Sequence, residues 1–231
     1  MEKEQFTRSL GLLGEKGFWT LKEKTVLVAG LGGVGGTALE ALVRTGVQRL
    51  VIIDFDKVDP SNLNRQILYT SKDVGKKKTA VAKDRILAIN PDAKVTTVDN
   101  KIDDEIGEIL SDYKIDFIVD AIDDIGGKIS LIKYAIEKDI PIIVSLGMAN
   151  RFNPNELSIA RLDKTTQDPL AKKLRYEVKK AGLSTSKIYT VISSEIPMRD
   201  GNKLNSIITV PSAAGLTMAY YVIDKIIHKE D

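Results

Sequence analysis

The apolar residues of the first 146 positions form short clusters separated by amphipathic stretches. Short apolar runs bounded by turn residues are typical of strands buried on both faces of a parallel sheet. The pattern predicts strands at 26–29, 49–54, 94–98, 115–120 and 141–146. Helical patterns between these strands predict helices at 37–44, 74–88, 103–111 and 128–138. This alternation predicts an α/β fold, a Rossmann-like doubly wound and mainly parallel sheet.

The pattern changes after Gly147. Residues 157–162 alternate as in an amphipathic strand, and 167–181 have the pattern of a helix. Residues 187–193 and 204–210 are expected to be antiparallel strands around a turn at 199–203, with an apolar helix at 212–227. We therefore expect one domain over 1–231. It would consist of an N-terminal arm (5–24), a nucleotide-binding core (25–146) and an antiparallel C-terminal extension (147–231) for substrate and dimer contacts.

Glycines follow the first predicted strand and precede the first predicted helix. Glycine allows a sharp turn and lets backbone N–H groups approach an anion, to which the helix adds the positive end of its dipole. The loop is therefore expected to hold a nucleotide phosphate. Its glycines are Gly30, Gly32, Gly33, Gly35 and Gly36.

Asp54 ends the second predicted strand beside this loop. A carboxylate at that place accepts hydrogen bonds from ribose hydroxyls in dinucleotide-binding sheets. A G-x-G-x-x-G motif alone is a weak signal. Together with the flanking strand, the helix and the acidic residue, it favours an adenine nucleotide.

The stretch from Asp54 to Gln66 is too polar for a core element and places Asn62, Arg65 and Gln66 just past the ribose position. An arginine beside a phosphate loop makes planar, bidentate contacts with anions. The lysines at 76–78 lie near a helix N-terminus, where they oppose the dipole. A solvated turn and a solvated helix face remain alternatives for these two stretches.

Carboxylates cluster at the end of the predicted strand 115–120, where open α/β sheets bind their ligands. They are Asp120, Asp123 and Asp124. Carboxylates beside a triphosphate are most readily explained by Mg²⁺. Helix capping is the alternative for each of them taken singly.

Composition narrows the chemistry further. The 231 residues include no cysteine and one histidine, which excludes disulfides, cysteine-ligated zinc and a cysteine nucleophile. The chain lacks an apolar run of about 18 residues, and its N-terminus lacks the apolar stretch of a signal peptide. We therefore expect a cytoplasmic protein without a membrane span. The net charge of +2 neither requires nor excludes nucleic acid.

Two further basic features have a structural and a functional interpretation. Arg8 is either an exposed residue of the arm or an arginine that reaches a neighbouring subunit's phosphate site. The predicted helix at 167–181 carries Lys172, Lys173 and Arg175 in a basic run that ends at Lys180. A solvated helix face is the default interpretation of this run, and a polyanion-binding surface is the alternative.

Five segments in this order resemble the ubiquitin-activating-like adenylating enzymes, which include activators of sulfur-carrier proteins in molybdopterin and thiamine biosynthesis. The segments are 30–35, 54–56, 61–66, 74–78 and 120–123. The resemblance implies a homodimer that uses Mg-ATP to adenylate a carboxylate. It also implies that Asp54 and Asp56 lie at the nucleotide and that Asp54 binds the ribose.

The same resemblance assigns residues around the phosphates. It implies that Arg65 and Lys78 contact the phosphates, that Asn62 lines the nucleotide, that Asp123 binds Mg²⁺ and that Arg8 crosses from the partner subunit. The family has Asp-Asn where this chain has Asp123-Asp124, which leaves the role of Asp124 open.

The second half of the chain resembles the tRNA threonylcarbamoyladenosine dehydratases within that superfamily. The segments that carry this resemblance are 143–154, 162–175 and 210–219. It implies that the substrate is tRNA carrying threonylcarbamoyladenosine, whose carboxylate is adenylated and then attacked by its own carbamoyl group. Such intramolecular attack has effective molarities up to about 10⁵ M or more, so no enzyme nucleophile is needed. With such a tRNA substrate, Lys172, Lys173 and Arg175 are candidates for contacts with the tRNA.

Three other functions remain to be weighed. The first is adenylation of a sulfur-carrier protein, against which the absence of cysteine argues. The second is an NAD-dependent dehydrogenase, in which residues 61–66 and 76–78 would have no task. The third is a nucleotide-binding scaffold without activity. The sequence neither supports nor excludes a sulfur-transfer protein as a further partner.

Overall fold

A sheet of seven strands lies at the centre of the molecule. The structure is a computed structural model, and it describes residues 2–166, 168–198, 201 and 203–228. The strand order is β3-β2-β1-β4-β5-β7-β6, and only the β6–β7 pair is antiparallel. The strands are β1 (Thr25–Ala29), β2 (Arg49–Ile53), β3 (Lys94–Val98), β4 (Phe117–Asp120), β5 (Ile142–Ser145), β6 (Leu157–Arg161) and β7 (Tyr189–Ser193). The predicted mainly parallel α/β sheet is confirmed.

Helices cover both faces of this sheet. They are α1 (Glu2–Gln5), α2 (Thr7–Glu23), α3 (Gly33–Thr45), α4 (Lys78–Ile89), α5 (Ile106–Ile109), α6 (Ile125–Glu137), α7 (Pro169–Lys180) and α8 (Thr209–Ile227). Strand β1 shows how one short sequence serves both layers. Val26 and Val28 pack into the cluster that contains residues of α3 and α8, whereas Leu27 and Ala29 pack into the cluster with residues of α6 and α7. Burial on both faces explains why its pattern is continuously apolar.

The order of the strands creates a crevice beside β1. The chain moves outward from β1 to β2 and β3, and then returns to pair β4 with the other edge of β1. Ala29 and Asp120 end these two central strands next to each other. Open α/β sheets bind ligands at such a switch point, outside the carboxyl ends of the strands. The glycine loop and the aspartates after β4 therefore share one edge of the sheet.

Two predicted elements differ in extent from the structure. The N-terminal arm is helical over most of its length, as α2, with a break at Gly14, where φ is +69°. Its residues Phe18 and Leu21 are buried, so apolar packing and not an exposed arm explains the pattern. The predicted helix at 103–111 is reduced to the four residues of α5.

The prediction of a strand at 204–210 was wrong. Strand β7 pairs with β6 in antiparallel and with β5 in parallel orientation, and helix α8 already begins at Thr209. Backbone groups before that helix bond instead to Asn150, which has a left-handed backbone with φ of +59°. Its side chain bonds to the N–H of Asn205 at 2.7 Å and the carbonyl of Lys203 at 2.9 Å. Residues 199, 200 and 202 of the predicted turn lie outside the described residues.

Helices α3 and α8 approach each other closely. A Cβ atom added to Gly215 would lie 2.4 Å from the carbonyl oxygen of Val34 and 2.8 Å from Cβ of Thr37. The hydroxyls of Thr37 and Ser212 are 3.2 Å apart at the same contact. Glycine at 215 is therefore a steric requirement of the packing between the C-terminal helix and the helix that follows the glycine loop.

We predict that Gly215→Ala destabilises the protein by about 1–3 kcal/mol, because the added methyl group meets backbone that would have to move. Gly11→Ala in α2 is the matched control, since a Cβ at Gly11 has no neighbour within 4 Å. Alanine is the better helix former, so this control is expected to be neutral or to stabilise by up to about 1 kcal/mol. Urea unfolding monitored by circular dichroism measures both changes. Equal stability of the two variants would contradict the prediction.

Candidate active site

The glycine loop has a shape that side chains would block. Gly30 has φ of +84°, and a Cβ there would lie 2.8 Å from the carbonyl oxygen of Ala121. A Cβ at Gly35 would lie 1.8 Å from the carbonyl oxygen of Gly30. Helix α3 then begins with Gly32 as its N-cap, and no side-chain hydrogen bond caps it. The first-turn N–H groups and the positive end of the helix dipole are thus available to an anion, as the sequence predicted.

Asp54 is tied to this loop at the end of β2. Its carboxylate accepts hydrogen bonds from the backbone N–H of Leu31 at 2.7 Å and of Asp56 at 2.8 Å. Burial raises the pKa of Asp54, and the positive charge of Lys78 opposes that rise. Each carboxylate oxygen has a second lone pair beyond the one used here, so the group can still accept hydrogen bonds from hydroxyls of a ligand.

The three lysines at the start of α4 are all paired with carboxylates. Lys76, Lys77 and Lys78 lie 3.0, 2.7 and 2.8 Å from Asp73, Asp99 and Asp56, respectively. These ion pairs offset the unfavourable position of lysines near a helix N-terminus. Only the Lys78 side chain is buried, at 6% exposure, whereas the carboxylate of Asp56 is 48% exposed. Lys78 is therefore the lysine held inside, and its partner Asp56 faces the solvent.

The polar segment after β2 is a set of turns held by its own side chains. Asn62 and Asp59 form a capping box in which the side-chain oxygen of Asn62 accepts from the N–H of Asp59 at 3.1 Å. The Arg65 guanidinium donates to the carbonyl of Ser61 at 2.8 Å and to the side-chain oxygen of Asn64 at 3.0 Å. Both partners are neutral, and Arg65 has no carboxylate partner among the described residues. Its positive charge is therefore available to an anionic ligand.

Gln66 and Tyr69 connect the same segment to the glycine loop. Gln66 is buried, its side-chain nitrogen faces Gly32, and its side-chain oxygen has no hydrogen-bond partner. The Tyr69 hydroxyl donates to the carbonyl of Leu31 at 2.8 Å, and burial raises the pKa of this hydroxyl. Tyr69 was not among the predicted site residues, because a tyrosine within an apolar stretch has the same local pattern as a core residue.

The three aspartates after β4 have three different environments. Asp120 is fully buried and pairs with fully buried Lys128 at 3.0 Å. Asp124 caps α6 by accepting from the N–H of Gly127 at 2.7 Å, which supports the capping interpretation for this position. Asp123 is exposed and has no hydrogen-bond or ion-pair partner in the described part of the chain. Of the three, it is the carboxylate that is open to a cation.

The Asp120–Lys128 pair supports the loop that carries Asp123. One Asp120 oxygen accepts from Lys128 and, at 3.2 Å, from the N–H of Ile122, and the other has no partner. Burial raises the pKa of Asp120, and the positive charge of Lys128 offsets only part of this rise. Sequence reasoning missed Lys128 because a lysine in an amphipathic helix is ordinarily on the solvated face.

Arg8 lies on the surface. It is exposed near the start of α2, and no described residue forms a hydrogen bond or an ion pair with it. The position of Arg8 thus leaves its guanidinium free for a molecule outside this chain.

Helix α7 presents the basic run of the second half. Lys172 and Lys173 are exposed, whereas Arg175 turns back and donates to the carbonyl oxygen of Thr165 at 2.8 Å and to its hydroxyl. Asp168 caps the helix, accepting from the N–H of Ala171 at 2.9 Å, and forms a buried ion pair with Arg151 at 3.1 Å. This pair joins α7 to the segment that follows β5.

A protein-only metal cage is absent from the described residues, in which no three His, Cys, Asp or Glu side chains could together hold a metal ion. Mg²⁺ is commonly held by one or two carboxylates together with substrate phosphates, so a lone open carboxylate such as Asp123 fits that mode. None of the helices within the described ranges has the length and apolarity needed to cross a membrane.

Comparisons with known proteins show which proteins have a similar sequence and fold. The ThiF family model matches residues 6–230. The chain is 38% identical to a tRNA threonylcarbamoyladenosine dehydratase of Bacillus subtilis, over 95% of this chain and 93% of that protein. A crystal structure of the E. coli tRNA N6-threonylcarbamoyladenosine dehydratase with ATP superposes with a TM-score of 0.93 at 32% identity, covering 98% of this chain and 95% of that one. The same E. coli enzyme has also been crystallised with AMP.

A sulfur-carrier relative matches over a shorter length. The sulfur carrier protein adenylyltransferase of Thermus thermophilus is 40% identical over 53% of this chain and 45% of its own length.

We predict that Lys128→Met destabilises the fold by about 3–5 kcal/mol at neutral pH, because it leaves the buried Asp120 carboxylate without a counter-charge. In the variant, burial without a counter-charge keeps the pKa of Asp120 higher in the folded state than in the unfolded state. At pH values between these two pKa values, the folded protein binds a proton that the unfolded protein does not. The stability of the variant must therefore rise as the pH is lowered through the folded-state pKa.

Urea unfolding of Lys128→Met at neutral and at mildly acidic pH checks this prediction. Lys133→Met is the matched control, because Lys133 lies in the same helix with its side chain 49% exposed. The double variant Asp120→Asn/Lys128→Met is expected to recover much of the loss, since no buried charge remains. A Lys128→Met variant whose instability is the same at every pH would refute the argument.

Proposed function

The chain belongs to the ThiF family, and from this premise we propose that it catalyses the ATP-dependent dehydration of threonylcarbamoyladenosine in tRNA. The observation that carries the proposal is the extent of similarity. The dehydratase relative matches both halves of the chain, whereas the sulfur-carrier activator matches about half of it. The second half contributes strands β6 and β7 to the same continuous sheet as the nucleotide half, which supports a single adenylating domain.

ATP fits the glycine loop and its neighbours. The cradle at Gly30, Gly32, Gly33 and Gly35 would take phosphates, and Asp54 would accept hydrogen bonds from the ribose hydroxyls. Asn62 and Gln66 would line the nucleotide. Buried Lys78 forms an ion pair with Asp56, and Arg65 has no carboxylate partner in the part of the chain that the structure describes. Both side chains would supply positive charge near the phosphates.

Asp123 would bind Mg²⁺ jointly with the phosphates. The bound ion would supply charge that stabilises the transferring phosphoryl oxygens. The task of the protein is to keep this carboxylate open and fixed, and the buried Asp120–Lys128 pair below the loop provides that support.

The proposed reaction has two steps. A carboxylate oxygen of the threonylcarbamoyl group attacks the α-phosphorus of ATP, and the bond to pyrophosphate breaks. The carbamoyl group of the same side chain then attacks the activated carbonyl carbon, the ring closes and AMP departs. ATP thus becomes AMP and pyrophosphate while the nucleoside loses one water. Arg65 and Lys78 would stabilise charge on the phosphoryl oxygens.

The absence of cysteine is consistent with this chemistry. Attack within one side chain has an effective molarity that can reach about 10⁵ M or more, so no protein nucleophile has to carry the acyl group. Adenylation of a sulfur-carrier protein is the second candidate, favoured by the similarity to the Thermus enzyme over half of the chain. A sulfur-transfer protein would then be a partner.

A homodimer would complete the site. Exposed apolar side chains on α2 and α8, among them Leu12, Leu216 and Tyr220, offer a surface for a second copy. Arg8 of one subunit, whose guanidinium has no partner among the described residues of its own chain, would reach the phosphates bound by the other subunit. Because tRNA is the substrate, the proposed location is the cytoplasm.

Incubation with ATP, Mg²⁺ and tRNA that carries threonylcarbamoyladenosine tests the function. We expect mass spectrometry of the digested tRNA to show loss of one water from the modified nucleoside, with AMP and pyrophosphate formed in equal amounts. Asp123→Asn should lower the rate at least about 100-fold, since a neutral amide would hold Mg²⁺ less well and the positive charge that stabilises the phosphoryl oxygens would be lost. Asp124→Asn is the matched control, because asparagine caps a helix as well as aspartate does.

If the wild-type protein leaves the mass of the modified nucleoside unchanged and instead adenylates a sulfur-carrier protein, the second candidate function replaces the main proposal. Equal losses in Asp123→Asn and Asp124→Asn would indicate that the loop as a whole, and not the open carboxylate, is required.

The crossing role of Arg8 predicts complementation between variants. Arg8→Ala and Asp123→Asn should each be inactive alone. In a mixed dimer, one site keeps its own Asp123 and receives Arg8 from the partner, so mixing the two proteins should restore part of the activity. Gel filtration checks that both variants associate as the wild type does. No recovery after exchange of subunits would show that Arg8 does not act across a dimer.

A further inference from the structure

Helix α7 has one face made of lysines around a tyrosine. Its inner face is buried through Ala171, Leu174 and Val178. The residues of the outer face follow the spacing i, i+1, i+4, i+7 and i+8, which places them on one side of a helix. We call this side the lysine–tyrosine face; it consists of Lys172, Lys173, Tyr176, Lys179 and Lys180.

The lysine–tyrosine face carries four positive charges, and Glu177 is the one acidic residue between Lys172 and Lys180. All four lysines are exposed, and none has a hydrogen-bond or ion-pair partner in the ranges that the structure describes. They lie along about 12 Å of helix axis, at 1.5 Å per residue. Lysines at other places on the molecule, such as Lys77, Lys78 and Lys128, do have carboxylate partners. The α7 lysines therefore concentrate positive charge that an external polyanion can use.

Tyr176 stands in the middle of this charge with an exposed ring. Its side chain is 64% exposed, although tyrosine usually buries most of its ring. An exposed aromatic ring between lysines is the combination with which proteins bind single-stranded nucleic acid. Bases stack on the ring and phosphates contact the lysines.

The face leads to the proposed reaction site. Lys173 lines a cavity of about 540 Å³ together with Asp124, Gly126 and Gly127. Asp124 directly follows Asp123 as the N-cap of α6, and Gly126 and Gly127 lie in the first turn of that helix. The buried pair of Arg151 with Asp168, the N-cap of α7, holds the start of the helix in place. A strand of RNA on the lysine–tyrosine face can thus continue toward the nucleotide site.

We propose that the lysine–tyrosine face binds an unpaired segment of the tRNA substrate, with Tyr176 stacked on a base and the lysines on the flanking phosphates. The inference rests on the proposed function and adds to it the form of RNA recognised, a single-stranded loop next to the modified base. Arg175 has no part in this contact, because its guanidinium is bound to Thr165. An acidic protein partner would explain the lysines, but its binding would not require an aromatic ring between them for stacking.

Fluorescence anisotropy with two RNAs tests the stacking contact. One is a labelled stem-loop, and the other is the same strand annealed to its complement. Tyr176→Ala should weaken binding of the stem-loop about 5- to 150-fold and leave the duplex unchanged, since one base stack is removed. Tyr176→Phe keeps the ring and should bind as the wild type does. Equal affinity of Tyr176→Ala and wild type for the stem-loop would overturn the proposal.

Salt dependence tests the lysines. Lys172→Gln and Lys179→Gln should each reduce the slope of log affinity against log salt concentration by about 0.7 to 1, because each variant neutralises one phosphate fewer. The exposed Lys114, which precedes β4 and is not part of α7, supplies the control Lys114→Gln. Unchanged slopes in the α7 variants would contradict RNA binding at this face and leave an acidic protein as its partner.

The dehydration assay separates this inference from the function on which it rests. Tyr176→Ala should raise KM for tRNA and leave kcat and ATP binding unchanged. If the wild type dehydrates the tRNA and Tyr176→Ala has the same KM for tRNA, the proposed role of the lysine–tyrosine face is refuted and the proposed function is not. If the wild type dehydrates no tRNA but Tyr176→Ala selectively loses stem-loop binding, the proposed function is refuted and RNA binding at the lysine–tyrosine face is supported.

Discussion

The steric contact between α3 and α8 determines the shape of the glycine loop on which the rest of the site depends. A Cβ at Gly33 would lie 3.0 Å from both the carbonyl oxygen of Arg65 and Cβ of Pro211, and one at Gly215 would reach the backbone of Val34. The loop is thus enclosed by the segment after β2 and by the C-terminal helix. Two parts of the chain that are far apart in sequence therefore pack against the glycine loop, so its conformation depends on tertiary contacts.

The charged residues at the carboxyl edge of the sheet divide into paired and unpaired groups. Asp120 with Lys128 and Arg151 with Asp168 are buried pairs, whose members would each be costly if left alone. Arg65 and Asp123 lack a partner of opposite charge within the described residues. The charges of the buried pairs are satisfied within the chain, whereas Arg65 and Asp123 can interact with ligands of opposite charge. The same distinction separates inward-turned Arg175 from the lysines on the outer side of α7.

Local sequence patterns predicted the nucleotide half well and the C-terminal half less well. Strands such as β1 and β2 are buried on both faces, so their apolar runs are unambiguous. Residues 204–208 alternate as a strand would, but their backbone groups bond to Asn150, more than 50 positions earlier. The antiparallel partner of β7 is β6, not the segment that follows β7. Nothing in the local pattern distinguishes these pairings, because they depend on contacts between distant residues.

The sequence by itself determined the class of fold, the glycine loop, and the candidate roles of Asp54, Arg65, Lys78 and Asp123. These features follow from local periodicity and from residue types whose chemistry is specific. Only the tertiary structure decided which charges are buried in pairs and which are open. It separated Asp123 from Asp120 and Asp124, brought Tyr69 to the loop, and turned Arg175 inward while leaving Tyr176 exposed. The physical reason is that burial and pairing are properties of the packed chain, and neighbours in sequence can differ in both.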